Sequence, residues 1–468
     1  MFLSSTLGSV GLLFLTSGAT TTWADYASGH DVPTATIDAG VIVGKSTSLP
    51  HALGPVHQFL GVPFASPPKR FSPPRAAEPF QGPVNTTEFK PACIQQFRYP
   101  LSSSQFTQAV FNNPPPEESE DCLYLNVYAP STPAGGNGRA VMFWIYGGSL
   151  QFGNAGQEQY DGSSFAAYED VIVVTTNYRT NRTHESNLTC VRAADATTVQ
   201  TIINQNSLVF NPVADNTTLV SNPAAQRLSG DIAHIPVLGG TNSQEGRVFS
   251  VGQTNVTAYL QATFGAAPAL IPAIEAAYPI GSNGLTNDYD VISQIVTEIT
   301  FQCPQALWAN ATASIGIPTW RYYFNASFAN TQAYPQLGAY HASEIPLVFR
   351  TYPLADTTTQ EYALAQFMQS TWAKFAKNPY AGPGWNAVGT GAEGNVLVGA
   401  YDFVAGGVYQ DQNATAVEGD WNLGVLGDVG GVRGSGVTVL PQSDLDYRCS
   451  LFRPIFEANM GSQGIPPS

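Results

Sequence analysis

The stretch Val141–Gly153, V-M-F-W-I-Y-G-G-S-L-Q-F-G, decides the fold. From Ala140 to Tyr146 seven residues are apolar or aromatic without a break, and they run directly into Gly147 and Gly148. Such a run predicts a strand buried on both faces that ends in a turn exposing its backbone. Glycine at the turn lets main-chain N–H groups come close to negative charge. Two readings are open: a plain glycine turn, or an oxyanion hole in which the Gly148 and Ser149 N–H groups face a developing alkoxide. Taken alone, the turn favours the plain reading.

Working outward, the run is flanked by F-L-G-V-P-F-A-S-P-P-K-R-F (59–71) and S-E-D-C-L-Y-L-N-V-Y (119–128). Downstream come N-Y-R (177–179), G-G-T-N-S-Q-E-G (239–246) and G-A-Y-H-A-S-E-I-P-L-V-F (338–349). Together these blocks resemble the type-B carboxylesterase and lipase family, the cholinesterase-like branch of the α/β-hydrolases, and most of all its secreted fungal members. They span nearly the whole chain in the family's order. The resemblance implies an α/β-hydrolase fold, a mostly parallel central sheet with helices on both faces, and the oxyanion reading of the turn with Gly147 in support.

Composition bounds the remaining classes. Hydrophobic residues make up 43% of 468, enough for a large core, while charged residues are 11% and the net charge is −15. An acidic chain without basic patches excludes nucleic acid and anionic membranes as partners. The apolar run Leu7–Leu15, followed by Ser17, Gly18 and Ala19, is too short to span a bilayer and predicts a secretory leader, 1–19 or to 24. The expectation is one domain over 25–468, extracellular, with no integral membrane segment. Eight N-x-S/T acceptors, at Asn85, Asn181, Asn187, Asn216, Asn255, Asn310, Asn325 and Asn413, predict N-linked glycans.

Five cysteines, Cys93, Cys122, Cys190, Cys303 and Cys449, leave one unpaired in an oxidising compartment. The resemblance implies a Cys93–Cys122 disulfide, whose loop closure contributes roughly 3–4 kcal/mol. It likens Cys190 to the second member of a pair whose partner is not present. Cys303 and Cys449 remain, as a pair or as two buried thiols. The resemblance also implies that Arg70 pairs with Glu120, pinning the N-terminal loop; the alternative is two solvated charges worth under about 1 kcal/mol.

Further along, Val171–Tyr178 reads as a β-branched strand buried on both faces, and Val191–Asn204 as helix. His234–Gly239 reads as a strand, Leu260–Ala277 as helices broken by Pro268 and Pro272, and Trp320–Phe324 as a strand. Thr358 with Glu361 signals a capping box, and Leu364, Phe367, Met368, Thr371, Trp372 and Phe375 share one face of the helix that follows. In the family pattern, N-Y-R leads through a helix and a strand to a G-x-S-x-G nucleophile elbow and at least one more helix and strand. Here Thr180–Asn187 covers that distance, and G-x-S-x-G occurs nowhere. The implied deletion, between about 179 and 188, is on the order of a hundred residues at roughly 30 per strand–helix piece.

A hydrolytic triad needs a nucleophile, an imidazole and an orienting carboxylate. By resemblance Glu245 is the acid, His341 the base and Glu344 a supporting carboxylate. Taken without context, Glu245 is a glutamate at a helix start and His341 a core or surface histidine. Ser149, Ser186 and Ser243 each lack the strand–turn–helix setting of an elbow. No metal spacing occurs and no cofactor is implied. Three accounts are open: a secreted carboxylic ester hydrolase, acting on small-molecule or lipid esters, whose chain is defective and inactive as written; a non-catalytic extracellular binding relative; or an esterase with an unrecognised nucleophile.

Overall fold

The computed structural model describes residues 2–3, 32–97, 100–180, 192–208, 210, 212–385, 387–388, 401–404, 407–410, 422–427 and 436–462. The chain divides into two compact units, Met1–Asn211 and Pro212–Ser468. Residues 4–24 of the expected leader, with Asn181, Ser186, Asn187, Cys190 and Asn413, lie outside the described residues.

In the first unit, β-branched and aromatic runs build a sheet from β1 (Phe2–Leu3), β2 (Lys45–Thr47), β3 (Val56–Pro63), β4 (Tyr124–Pro130), β5 (Val141–Trp144) and β6 (Ile172–Thr176). Their order is β1-β5-β6-β4-β3-β2. β5 and β6 run parallel with Val141 opposite Ile172, joined through the helix Ser163–Glu169. The other neighbours are antiparallel. A parallel pair needs such a crossover, whereas antiparallel strands need only turns.

The expectation that the Ala140–Tyr146 run is buried on both faces is corrected here. Met142, Trp144 and Tyr146 are buried, and Trp144 packs on Tyr160 with centroids 5.1 Å apart. Val141, Phe143 and Ile145 on the opposite face are 47%, 37% and 40% exposed. Successive side chains point to opposite faces, so a layer on one side protects only alternate residues. An unbroken apolar run cannot report which of a strand's two faces is covered.

Buried amides stitch the strands. Asn126 on β4 donates to Ala155 O (3.1 Å) and Thr175 Oγ1 (2.9 Å) and accepts from Gly61 N (2.9 Å). Asn177 of the N-Y-R block donates to Pro91 O and Cys122 O, both at 3.0 Å, and accepts from Ala155 N at 2.9 Å. A buried Asn satisfied in this way rigidifies the strand ends it joins. Cys93 and Cys122 form a disulfide. Arg70 grips Glu120 bidentately, Nε to Oε1 at 2.6 Å and Nη2 to Oε2 at 2.8 Å, and its Nη1 reaches Ala194 O at 2.9 Å. Past the junction, Asp195 caps the helix Ala196–Gln205 by accepting from Thr197 N and Thr198 N.

The second unit holds β7 (Val237–Asn242), β8 (Thr319–Phe324), β9 (Asn422–Leu426) and β10 (Val437–Pro441), in that order. β7, β8 and β9 are parallel and β10 is antiparallel. β7 begins at Val237, three residues beyond the expected start at His234. Pro236 has no N–H to give, and the ladder opens with Val237 N donating to Pro318 O at 2.9 Å.

Helices Val256–Phe264 and Ile271–Ala277 pack Leu260, Phe264, Ile271 and Ile274 against Phe452 and Phe456 of the helix Cys449–Ser462. Cys303 and Cys449 are bonded. Along Thr359–Lys377, Leu364, Met368, Thr371, Trp372 and Phe375 are buried as one stripe and Phe367 is half-buried beside it. Thr358 caps this helix through Glu361 N at 3.0 Å, but the Glu361 carboxylate turns to Asn330 Nδ2 at 2.9 Å. The pairing of strands through helices makes this an α/β fold.

Candidate active site

In the first unit the chain leaves β5 into the glycine turn. Gly148 has φ +125°, followed by Ser149 and Leu150 at 53° and 61°. A Cβ on Gly148 would lie 2.1 Å from Phe152 O, so only glycine fits. At Gly147 nothing lies within 4 Å of a built Cβ, so packing does not demand glycine there. The carbonyl of Gly148 is occupied, accepting from Gln151 N at 2.9 Å. Among the described residues the Gly148 and Ser149 N–H groups have no acceptor within the chain. An open cavity of ≈ 370 Å³ is lined by Ile145 to Leu150 with Thr176 and Tyr178, almost all apolar surface.

In the second unit, Glu245 follows β7 and His341 follows the loop 338–340. His341 Nδ1 lies 2.7 Å from Glu245 Oε2, and Glu245 Oε1 accepts from Asn242 N at 2.8 Å. Both oxygens of the buried carboxylate are therefore spoken for. With the Glu245 oxygen as acceptor, Nδ1 of the neutral ring carries the proton and Nε2 is left as the basic nitrogen. The imidazole keeps 40% of its surface exposed and Glu245 only 7%. Phe249 and Phe301 flank the ring, with centroids 5.3 and 4.9 Å away.

Charge around the ring is unevenly distributed. Desolvation opposes the imidazolium, but the charge and hydrogen bond of Glu245, with the charge of Glu344, outweigh it and raise the His341 pKa above the ordinary imidazole value. Glu344 is itself raised, first by burial and then by Glu245, against the donation from Asn242 Nδ2 at 2.5 Å. Among the described residues no group of three or more His, Cys, Asp or Glu could hold a metal ion.

Sequence reasoning passed over the residues that fix this geometry. Gln244 clasps the histidine loop: its N donates to Ala339 O at 3.0 Å and its Oε1 accepts from Ala339 N at 2.9 Å. Gly338 has φ +65°, and a Cβ there would meet Gln244 Oε1 at 1.8 Å. Gly246 N donates to Thr297 Oγ1 at 2.8 Å, seating the acid on the π-helical turn Thr297–Gln302. Asn242 and Gln244 sit two apart beside Glu245 in G-T-N-S-Q-E-G, the one signal that could have singled them out.

The carboxylesterase family model matches residues 31–184 and 180–400, in two pieces that meet at the junction after Arg179. Carboxylesterase 1D of Mus musculus is 40% identical over 176 residues, 37% of this chain and 30% of that protein. The liver carboxylesterase of Sus scrofa is 44% identical over 176 residues, 36% and 30% respectively. At that level of identity the chain spans under a third of the length of these relatives. Carboxylesterase 1C of Rattus norvegicus is 25% identical over 486 positions, taking in 76% of this chain and 88% of that protein, so about 130 of those positions face no residue here. With the family model covering most of its length, this chain belongs to the carboxylesterase family and has the α/β-hydrolase fold which that family implies.

Proposed function

We propose that the chain derives from a secreted, N-glycosylated carboxylic ester hydrolase acting by serine-type acyl transfer on small-molecule or lipid esters, and that as written it lacks the nucleophile. In this reading the leader, 1–19 or to 24, is removed. Glu245 orients His341, His341 Nε2 takes the hydroxyl proton, and the Gly148 and Ser149 amides donate to the oxyanion. The observation that carries it is the 2.7 Å contact from His341 Nδ1 to a carboxylate whose other oxygen is already held. An imidazole so oriented works only on a hydroxyl within reach.

Support for an absent block comes from three directions. The family match falls into two pieces that overlap at 180–184, and about 130 positions of the long alignment have no counterpart. β5 and β7 carry orphaned groups: Val141, Phe143 and Ile145 are exposed, while Thr241 Oγ1, Asn242 Oδ1 and Ser243 Oγ are buried with no hydrogen-bond partner among the described residues. Buried polar atoms without partners are rare in complete folds. Ser149 lies exposed in the turn and Ser243 is buried, and neither stands at a strand–helix elbow.

The test is a fluorophosphonate probe. No serine of this chain should label. Inserting the genomic segment after Asn177 should supply a G-x-S-x-G and restore both labelling and ester hydrolysis. Stoichiometric labelling of the unrestored chain overturns the reading. The exposed β5 face favours a second one, a non-catalytic extracellular binding protein, which cooperative folding without labelling would promote.

A further inference from the structure

We infer that Asn242 is a positioning residue, which holds the loop bearing His341 and keeps two carboxylates in separate places beside its imidazole. The inference rests on the reading of Glu245 and His341 as acid and base. Asn242 ends β7 and is 1% exposed. Its backbone N–H fixes Glu245 Oε1 at 2.8 Å. Its Nδ2 donates to Tyr340 O, the carbonyl directly before His341, at 2.8 Å, and to Glu344 Oε2 at 2.5 Å. Both amide protons are thereby used. A hydroxyl has one proton to give and a carboxylate has none, so neither serine nor aspartate can make the same pair of contacts.

The consequence is electrostatic. Two carboxylates lie close to one imidazole and cannot both take it. Glu245 holds Nδ1, while the amide gives the Glu344 anion a donor of its own. Loss of that amide would leave Glu344 buried without its donor and readier to take up a proton, removing one of the charges that favour the imidazolium. It would also free Tyr340 O, and with it the loop that sets the 2.7 Å contact. Both changes weaken the attraction felt by His341. The other titratable groups that feel the charges of this cluster, Tyr322, Tyr323 and Tyr340, are raised first by burial and stay neutral. Gln244 grips the same loop at Ala339 without touching a carboxylate, so it separates loop-holding from charge placement.

The experiment uses the full chain with 15N-labelled histidine, reading the His341 ring by NMR across pH. The parent should show a low-field proton on Nδ1 and a titration midpoint above the ordinary imidazole value. Asn242→Ala should lose that proton to solvent exchange or move it upfield, and should lower the midpoint. Gln244→Ala should leave the midpoint in place. Glu344→Gln should lower the midpoint and keep the low-field proton. Where Asn242→Ala does not fold, Asn242→Ser replaces it with the same expectations. An unchanged proton and midpoint in the folded Asn242 variant, or a midpoint in Gln244→Ala that falls as far, overturns the inference. These readings bear on the clamp alone; probe labelling of the restored chain bears on the acid–base reading.

Discussion

Tyr178 stacks on Tyr146 with ring centroids 4.3 Å apart, and its hydroxyl donates to the Tyr146 carbonyl at 2.9 Å. The pair locks the ends of two parallel strands together just before the glycine turn. Tyr178→Phe keeps the stack and removes the hydroxyl, and should cost about 1 kcal/mol in chemical denaturation. Tyr178→Ala removes both and should cost about 3–5 kcal/mol, the usual range for losing a packed aromatic ring.

The raised pKa of His341 makes stability depend on pH with a definite sign. A base whose folded pKa exceeds its unfolded one contributes fully below the unfolded value, and the contribution is lost as pH rises through the folded value. Glu344, raised by burial, acts in the same sense over the carboxylate range. The melting temperature should therefore fall as pH rises from the ordinary imidazole value, about 6.5, through the raised folded value. Glu245→Gln should flatten that slope, and an identical slope in the variant would contradict the assignment.

Arg448 binds Glu298 through Nε and Nη2, and both side chains are buried. Tyr278 adds a hydroxyl donor to the same carboxylate at 2.5 Å. Arg448→Leu strands a buried charge and should cost about 3–5 kcal/mol. Replacing both partners with leucine should cost less than this single change, as measured by a double-mutant cycle in denaturant.

The Asn310 acceptor sits within the helix Cys303–Ser314, where Asn310 Oδ1 and the Thr312 side chain are buried. Asn85 and Asn325 are exposed. Glycopeptide mapping of secreted protein should find glycans at Asn85 and Asn325 and none at Asn310, and a glycan on Asn310 would require the helix to open.

The order of motifs made much of this legible. Glu245 and His341 are 96 residues apart, yet each lies in a block that the family resemblance distinguishes, and the structure brings them to 2.7 Å. The Cys303–Cys449 bond could not be told from two buried thiols, because spacing says nothing of distance across 146 residues. The exposed face of β5 was hidden for a different reason: an apolar run records the character of the side chains, not which face of the strand is covered. Asn242 was overlooked because its partners, Tyr340 and Glu344, belong to a loop about a hundred residues further on. Local sequence carries no trace of such a contact.

The sheet of the second unit also has a consequence for synthesis. Phe324 on β8 pairs with Leu426 on β9, and β9 is covered in turn by Val437–Pro441. On the ribosome, β8 must wait for about a hundred further residues before β9 emerges to pair with its outer edge, which stays open meanwhile. In the first unit β6 closes on β4 and β5 by Thr176. Nascent chains stalled before residue 422 should therefore be the ones that engage chaperones most strongly.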